Sequence, residues 1–288
     1  MADRLRVGVS LRTTPDIDPA AEARHAESLG FDLVTVMDHL PGSRPTFETW
    51  TEMTWALAAT ERIMVGSNVL GMPYRHPAVT AKMAETLQRL SGGRLVLAIG
   101  GGGSNAEFAA FGLPVWKPKE KVDAFEEGVE IIRRLWAGGP VTFRGWHYSV
   151  EDAEISPIPE PAIPLWFGVY GPRSLGLAGR LADGWLPSYR YAPPERWVAG
   201  RDRIRRAAEA AGRDPDGIDY AYNLGVRVDE RAEQRPGMIA GPPDQVTEEL
   251  TAILALGVTF PVIWTAGEGV EQRERLAREV LPHLRSAA

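Results

Sequence analysis

A (β/α)8 barrel, also called a TIM barrel, is the fold this sequence predicts, and three observations predict it. Short apolar runs alternate with amphipathic helical stretches along the whole 288-residue chain. The alternation yields eight of each, which favours a closed parallel barrel over an open doubly wound sheet. The run Leu95-Val96-Leu97-Ala98-Ile99 is continuously apolar, as a parallel strand covered on both faces must be. The expectation is one barrel domain over residues 1–288, with an insertion between strands four and five.

In chain order, Val7 to Leu11 is strand one. Pro19 to Leu29 is an alanine-rich helix with Asp18 as N-cap and Gly30 as its stop. Leu33 to Met37 is strand two, with Asp38-His39 at its C-terminal end, and Phe47 to Thr60 is helix two. Met64 to Val69 is strand three. His76-Pro77 starts helix three, where Val79, Met83, Leu87 and Leu90 recur at helical spacing, and Gly92-Gly93 stops it. Strand four runs into four consecutive glycines. Lys117 to Ala137 is a long helix with Val122, Phe125, Val129, Ile132 and Trp136 on one face. Gly138 to Pro164 breaks the pattern with aromatics and five prolines, and reads as a small hairpin inside an irregular insertion. Leu165 to Val169 is strand five, Pro172 to Ala182 a helix, Gly184 to Leu186 strand six, and Glu195 to Ala211 an arginine-rich helix. Tyr220 to Val228 is strand seven, Asp229 to Gly241 a polar, mobile connection, and Asp244 to Leu256 a helix stopped by Gly257. Phe260 to Thr265 is strand eight, and Val270 to Leu284 the last helix.

The formal charge of −6 argues against a broad nucleic-acid surface while leaving local basic pockets open. With no cysteine there is no disulfide, no thiolate metal site and no Cys nucleophile. Met-Ala-Asp-Arg-Leu-Arg runs straight into a strand, with no signal-like apolar stretch, and no run approaches a membrane span. A cytoplasmic protein without membrane or nucleic-acid partners is expected.

Barrels of this kind carry their chemistry at the C-terminal ends of the strands. That leaves Arg12 and Thr13 after strand one, Asp38 and His39 after two, Asn68 and Val69 after three, and Gly100 to Asn105 after four. Tyr170 to Ser174 follow strand five, Tyr189 and Arg190 follow six, and Trp264 lies on eight. Gly100, Gly101, Gly102 and Gly103 expose bare backbone to a ligand, and their N–H groups can form an anion nest. As a dinucleotide fingerprint, Gly101-x-Gly103-x-x-Ala106 is weak: it follows the fourth strand, and no acidic residue ends a strand about twenty residues later. Gly171-Pro172-Arg173-Ser174 is the better phosphate candidate. Pro172 suits a first helical position, which aims the N–H groups of Arg173 and Ser174 out of a positive helix end, and their side chains can add contacts. Asp38-His39 is the only acid–imidazole pair after a strand, and its imidazole can hold or donate a proton near neutral pH. His76 orders the turn before Pro77. No HExxH, histidine–carboxylate cluster or GxSxG elbow is present, so no metal site is expected.

Together these stretches resemble the luciferase-like flavin and deazaflavin superfamily. The similarity is carried by Phe31-Asp32-Leu33-Val34-Thr35-Val36-Met37-Asp38-His39, by Arg75-His76-Pro77 with Thr86-Leu87, and by Leu90-Ser91-Gly92-Gly93-Arg94. Ile99 to Gly102, Phe125-Glu126-Glu127-Gly128 with Leu135-Trp136, and Ala182-Asp183-Gly184-Trp185 extend it over nearly the whole chain. The compact length and the Asp-His pair are most similar to the branch that uses coenzyme F420, which includes F420-dependent sugar-phosphate dehydrogenases. The resemblance implies that Asp38 and His39 approach the deazaflavin and that Asn68–Val69 is a non-prolyl cis peptide bulging behind the ring. It also implies that Gly100 to Gly103 and Tyr170 to Ser174 lie along the ribityl chain and phosphate.

Two departures mark the chain off from the sugar enzymes. Their Trp shortly after Asp-His is missing from Leu40-Pro41-Gly42-Ser43, and Gly103 stands where they carry a catalytic Glu. With that set incomplete, the expectation is an F420-dependent oxidoreductase, acting on a small organic substrate, rather than a glucose-6-phosphate dehydrogenase. His39 is its expected catalytic residue and the only titrating group of the pocket, and a homodimer is implied by the resemblance. Two alternatives stand beside it: an FMN-dependent monooxygenase, and a barrel that binds flavin or deazaflavin without turnover.

Overall fold

The computed structural model describes residues 5–12, 14, 16–40, 46–232, 235–265 and 269–287. Thr13 and the Pro41–Ser43 stretch of the sequence argument lie outside these residues.

Eight parallel strands close into a ring: Gly8–Ser10, Leu33–Val36, Met64–Ser67, Leu95–Gly100, Leu165–Phe167, Gly184–Trp185, Asp219–Val228 and Phe260–Thr265. Each pairs with the next in sequence, and the eighth returns to the first through Val262 opposite Gly8. Alternation decides which residues fill the interior. Leu33, Val96, Ala98, Trp166, Leu186, Ala221, Phe260 and Val262 form one buried cluster there. The intervening residues, such as Val34, Leu97, Phe167 and Leu224, belong to a larger cluster shared with the surrounding helices. The barrel is therefore packed solid below, and chemistry is confined to its mouth.

The helix signals act as the sequence suggests. Asp18 caps Pro19–Ser28 through the Ala20 N–H at 3.0 Å, and His76 caps Pro77–Leu90 through Nδ1, which accepts from the Ala78 N–H at 3.3 Å. The insertion is indeed a hairpin, Val141–Arg144 against Ser149–Ala153. Glu127 on the long helix Pro118–Ala137 clamps its turn by accepting the N–H groups of Trp146, His147 and Tyr148 at 2.8–3.0 Å.

Three features differ from the expectation. Asp229 to Gly241 is not merely a polar connection: Met238–Gly241 is a strand parallel to strand seven. Its Ile239 and Ala240 are both buried, but so short an apolar run is hidden behind a charged stretch. A helix, Asn105–Ala110, follows the four glycines. Strand three ends at Ser67, and its continuation turns through Leu70–Gly71 and a 3-10 turn at Met72–Tyr74.

Candidate functional site

The strand ends bring the expected residues to one mouth. Strand two delivers Asp38, whose side chain turns away from solvent. Its Oδ2 accepts the Gly71 N–H at 2.8 Å, and Arg75 Nη1 stands 3.3 Å from both oxygens. Arg75 also pairs with Glu48, whose carboxylate caps helix two (Thr49–Ala59) by accepting the N–H groups of Trp50 and Thr51. Asp38, Arg75 and Glu48 thus tie strand two, the loop after strand three and the start of helix two into one frame. Burial pushes the Asp38 carboxyl above its ordinary value, although Arg75 and the Gly71 N–H pull it down. The pair fixes geometry at a desolvation cost and is a poor source of net stability.

His39, next in sequence, points the other way, with its side chain about half exposed. Its Nδ1 lies 3.0 Å from Glu107 Oε1, while no described residue bonds Nε2. Glu107 Oε2 accepts the Leu40 N–H at 3.0 Å and the Tyr74 O–H at 2.7 Å. Burial raises the Glu107 carboxyl; hydrogen bonds from Tyr74 and His39, with that of the Leu40 N–H, outweigh it and hold the group below its ordinary value. The expectation that His39 is the only titrating group here is overturned, and so is the conclusion that no carboxylate accompanies it. Gly103 does leave a gap in the glycine run, but the helix after it brings Glu107 to the same imidazole. The signal was present as Ser104-x-x-Glu107, the spacing of a capping box. Ser104 does cap, its Oγ accepting the Glu107 N–H at 3.3 Å, but the glutamate reaches across to strand two instead of back to its own cap.

Asn68 and Val69 are joined by a cis peptide, as the resemblance implied. Val69 packs against the ends of strands four and five. A Cβ at Gly100 would lie 2.9 Å from Val69 Cγ2, and one at Gly168 2.8 Å from the same methyl. Only glycine at both positions lets this bulge enter the mouth. Gly168 was missed by sequence reasoning, since a single glycine ending a strand carries no distinguishing pattern. Gly102 is needed for another reason: its φ is +84°, and Phe108 and Pro73 crowd it. Its carbonyl accepts from Lys121 Nζ at 2.8 Å. Gly101 and Gly103 face open space, with nothing nearer than 3.8 Å to a Cβ at Gly101 and nothing within 4 Å at Gly103.

Across the mouth, Gly171 precedes the helix Pro172–Leu181, with Pro172 in its first turn and no side-chain cap. The first-turn N–H groups of Arg173 and Ser174 therefore lack a side-chain acceptor at a positive helix end. A Cβ on Gly171 would meet nothing within 4 Å, and its φ of −77° suits any residue. Ser174 is buried. The Arg173 guanidinium turns instead to the long helix, where it pairs with Asp123 and Glu126. The Tyr170 hydroxyl accepts the Ser188 N–H at 3.0 Å, and its ring meets Tyr191 edge-on at 5.9 Å. Trp264, on strand eight, is partly exposed.

These surfaces suit a flat ring with an anionic tail: an apolar bulge cleared by two glycines, bare backbone beside it, and an uncapped helix start beyond. Among the described residues, no three His, Asp or Glu side chains are grouped to hold a metal ion.

A family model described as luciferase-like monooxygenase matches residues 4–236. An F420-dependent glucose-6-phosphate dehydrogenase from Beutenbergia cavernae is 40% identical, over 91% of each chain. A solved F420-dependent secondary alcohol dehydrogenase, in complex with an F420-acetone adduct, superposes with a TM-score of 0.87 at 21% identity, covering 98% of this chain and 99% of that one. The coenzyme F420 dependent tetrahydromethanopterin reductase from Methanopyrus kandleri gives 0.82 at 24%, covering 98% and 99%.

Proposed function

Because the chain belongs to the luciferase-like monooxygenase family, we propose that it is a coenzyme F420-dependent oxidoreductase, working as one barrel domain over residues 1–288. The observation that carries this reading is the Val69 bulge seated on Gly100 and Gly168 beside the strand that bears His39. It gives a flat ring an apolar back wall with a titratable imidazole within the same mouth. The curated relative's cofactor supports the choice of F420 over FMN.

When bound, the deazaflavin supplies the hydride chemistry at its C5. This chain's residues do the rest. Asn68 and Val69 back the ring. Gly100, Gly101, Gly102 and Gly103 let the sugar-alcohol chain approach the backbone. Tyr170 and Gly171 to Ser174 receive the phosphate, Pro172 presetting the helix start and Arg173 and Ser174 serving through their N–H groups. Asp38 holds the frame from behind, and His39 moves a proton to or from the organic substrate. The relative's substrate, glucose 6-phosphate, is not carried over, since Gly103 departs from the sugar enzymes' pattern.

Titration of the purified protein with F420 and with FMN, followed by fluorescence, tests the assignment. Tight F420 binding with weak FMN binding is expected; the reverse preference would overturn it in favour of the monooxygenase chemistry. Gly171→Val sharpens the same experiment. A Cβ there meets nothing within 4 Å and the backbone suits any residue, so the fold should survive. Losing a charge-assisted contact to the phosphodiester costs roughly 1.5–3 kcal/mol, about ten- to a hundredfold in affinity. Unchanged F420 affinity in Gly171→Val would place the anion elsewhere.

The reading extends to a cytoplasmic homodimer. No helix among the described residues is long and apolar enough to cross a membrane. An apolar groove between helices two and three is lined by Trp50, Met83 and Leu87, and its edge carries Leu90 at 78% exposure. A second copy seated there would cover Leu90. Light scattering should give a dimer for the wild type and a monomer for Leu90→Glu; a wild-type monomer at micromolar concentration removes the homodimer.

A further inference from the structure

We propose that Glu107 is the positioning residue of His39: it fixes the imidazole as the Nδ1–H tautomer and leaves Nε2 unprotonated. The assignment of a proton-moving role to His39 is the reading on which this rests; the tautomer itself is a property of the protein alone.

The argument starts from what each group can donate. An ionised carboxylate only accepts. Both oxygens of Glu107 are committed: Oε2 to the Leu40 N–H and the Tyr74 O–H, Oε1 to His39. Two donors from separate segments, the Leu40 N–H and the Tyr74 O–H, already favour the charged form, so Glu107 is an acceptor at neutral pH. A neutral imidazole 3.0 Å away must then place its single proton on Nδ1. Nε2, with no partner among the described residues, is left as the acceptor. A free imidazole in water has no such constraint.

The carboxylate cannot easily swing away. Ser104 anchors the first turn of its helix, Asn105–Ala110. Phe108, one residue on and fully buried, meets the Tyr74 ring edge-on at 4.9 Å. Tyr74 in turn sits over Gly71, where a Cβ would lie 2.8 Å from its ring, and Gly71 donates its N–H to Asp38. The tautomer of His39 is thereby locked to the frame that orients the neighbouring aspartate. Glu107 touches neither ring wall nor phosphate cradle, so its effect passes through His39.

Long-range proton–nitrogen correlation spectra of the cofactor-free protein, labelled with ¹⁵N-histidine and recorded near pH 8.5, read the tautomer directly. His39→Gln identifies the signal. Expected is a protonated Nδ1 with an unprotonated Nε2 in the wild type, and loss of that preference in Glu107→Gln. Tyr74→Phe should keep it, since the Leu40 N–H and the imidazole remain. In turnover assays, Glu107→Gln should lose about 10²–10⁴-fold, as removal of an orienting carboxylate does in other histidine-based sites, with F420 affinity by fluorescence near wild type. A wild-type His39 protonated on Nε2, or an unchanged pattern in folded Glu107→Gln, would overturn the assignment. Failure of F420 to bind while the tautomer responds as described would strike the cofactor reading and leave the positioning role standing.

Discussion

His39→Ala lowers turnover by about 10²–10⁴-fold, the usual contribution of a placed acid or base. F420 affinity should change far less, because the ring wall, the glycine run and the helix start at Pro172 do not include this imidazole. The split between rate and affinity distinguishes proton transfer from wall packing. If His39 only lined the ring, affinity would fall and the hydride-transfer rate at saturation would hold. The half-exposed side chain and an Nε2 without a partner among the described residues favour the first pattern. Stopped-flow bleaching of F420 absorbance in wild type and His39→Ala separates the two. A mutant that transfers hydride at the wild-type rate removes His39 from the chemistry. Tyr74 does not compete for the role: burial and its hydrogen bond to Glu107 push its phenol far above the neutral range.

What could be read in advance follows from how locally each feature is encoded. Strand and helix identities rest on apolar periodicity and on caps such as Asp18 and His76, all within a few residues of one another. The glycine run and Gly171-Pro172 were legible for the same reason, since a phosphate or ring needs bare backbone over a contiguous stretch. Glu107 was not, because its partner lies 68 residues away, beyond the end of strand two. Nothing in Ser104-x-x-Glu107 says that the carboxylate will abandon its own helix end. Arg173 misled in the opposite sense. It sits where a phosphate-binding arginine would, and only the fold shows Asp123 and Glu126 facing it from the long helix. Gly168 needed the position of Val69 before its role could be seen. In each case the missing information was a contact between elements far apart in sequence, set by the barrel's closure and invisible to spacing along the chain.

Stability should fall as pH rises from about 5 to 8, and Glu52 is the cause. This residue lies in the first half of helix two, 2% exposed, and neither carboxyl oxygen has a hydrogen-bond partner. Its neighbours among the described residues offer no cation: Glu22 is taken by Arg12 and the fully buried Arg273, and Glu48 by Arg75. Burial first, then the charges of Glu22 and Glu48, push the Glu52 carboxyl from its ordinary 4.5 up to about 8. A group raised on folding contributes stability that is complete below its unfolded value and lost as pH climbs through the folded one. Between those limits the native state holds one more proton than the unfolded chain, so the loss runs at about 1.4 kcal/mol per pH unit, or about 4 kcal/mol from pH 5 to pH 8. Above that the slope vanishes, because both states are then ionised. Glu52→Gln keeps the shape and cannot titrate, so its stability should lack this component and exceed that of the wild type increasingly as pH rises. Asp38 and Asp219 are also raised by burial, but both residues are present in the two proteins and cancel in the difference. Urea unfolding curves of wild type and Glu52→Gln at half-unit steps across this range give the comparison. Curves that run parallel with pH would show that Glu52 is ionised in the native protein, and that a cation or water reaches it between helices one and two.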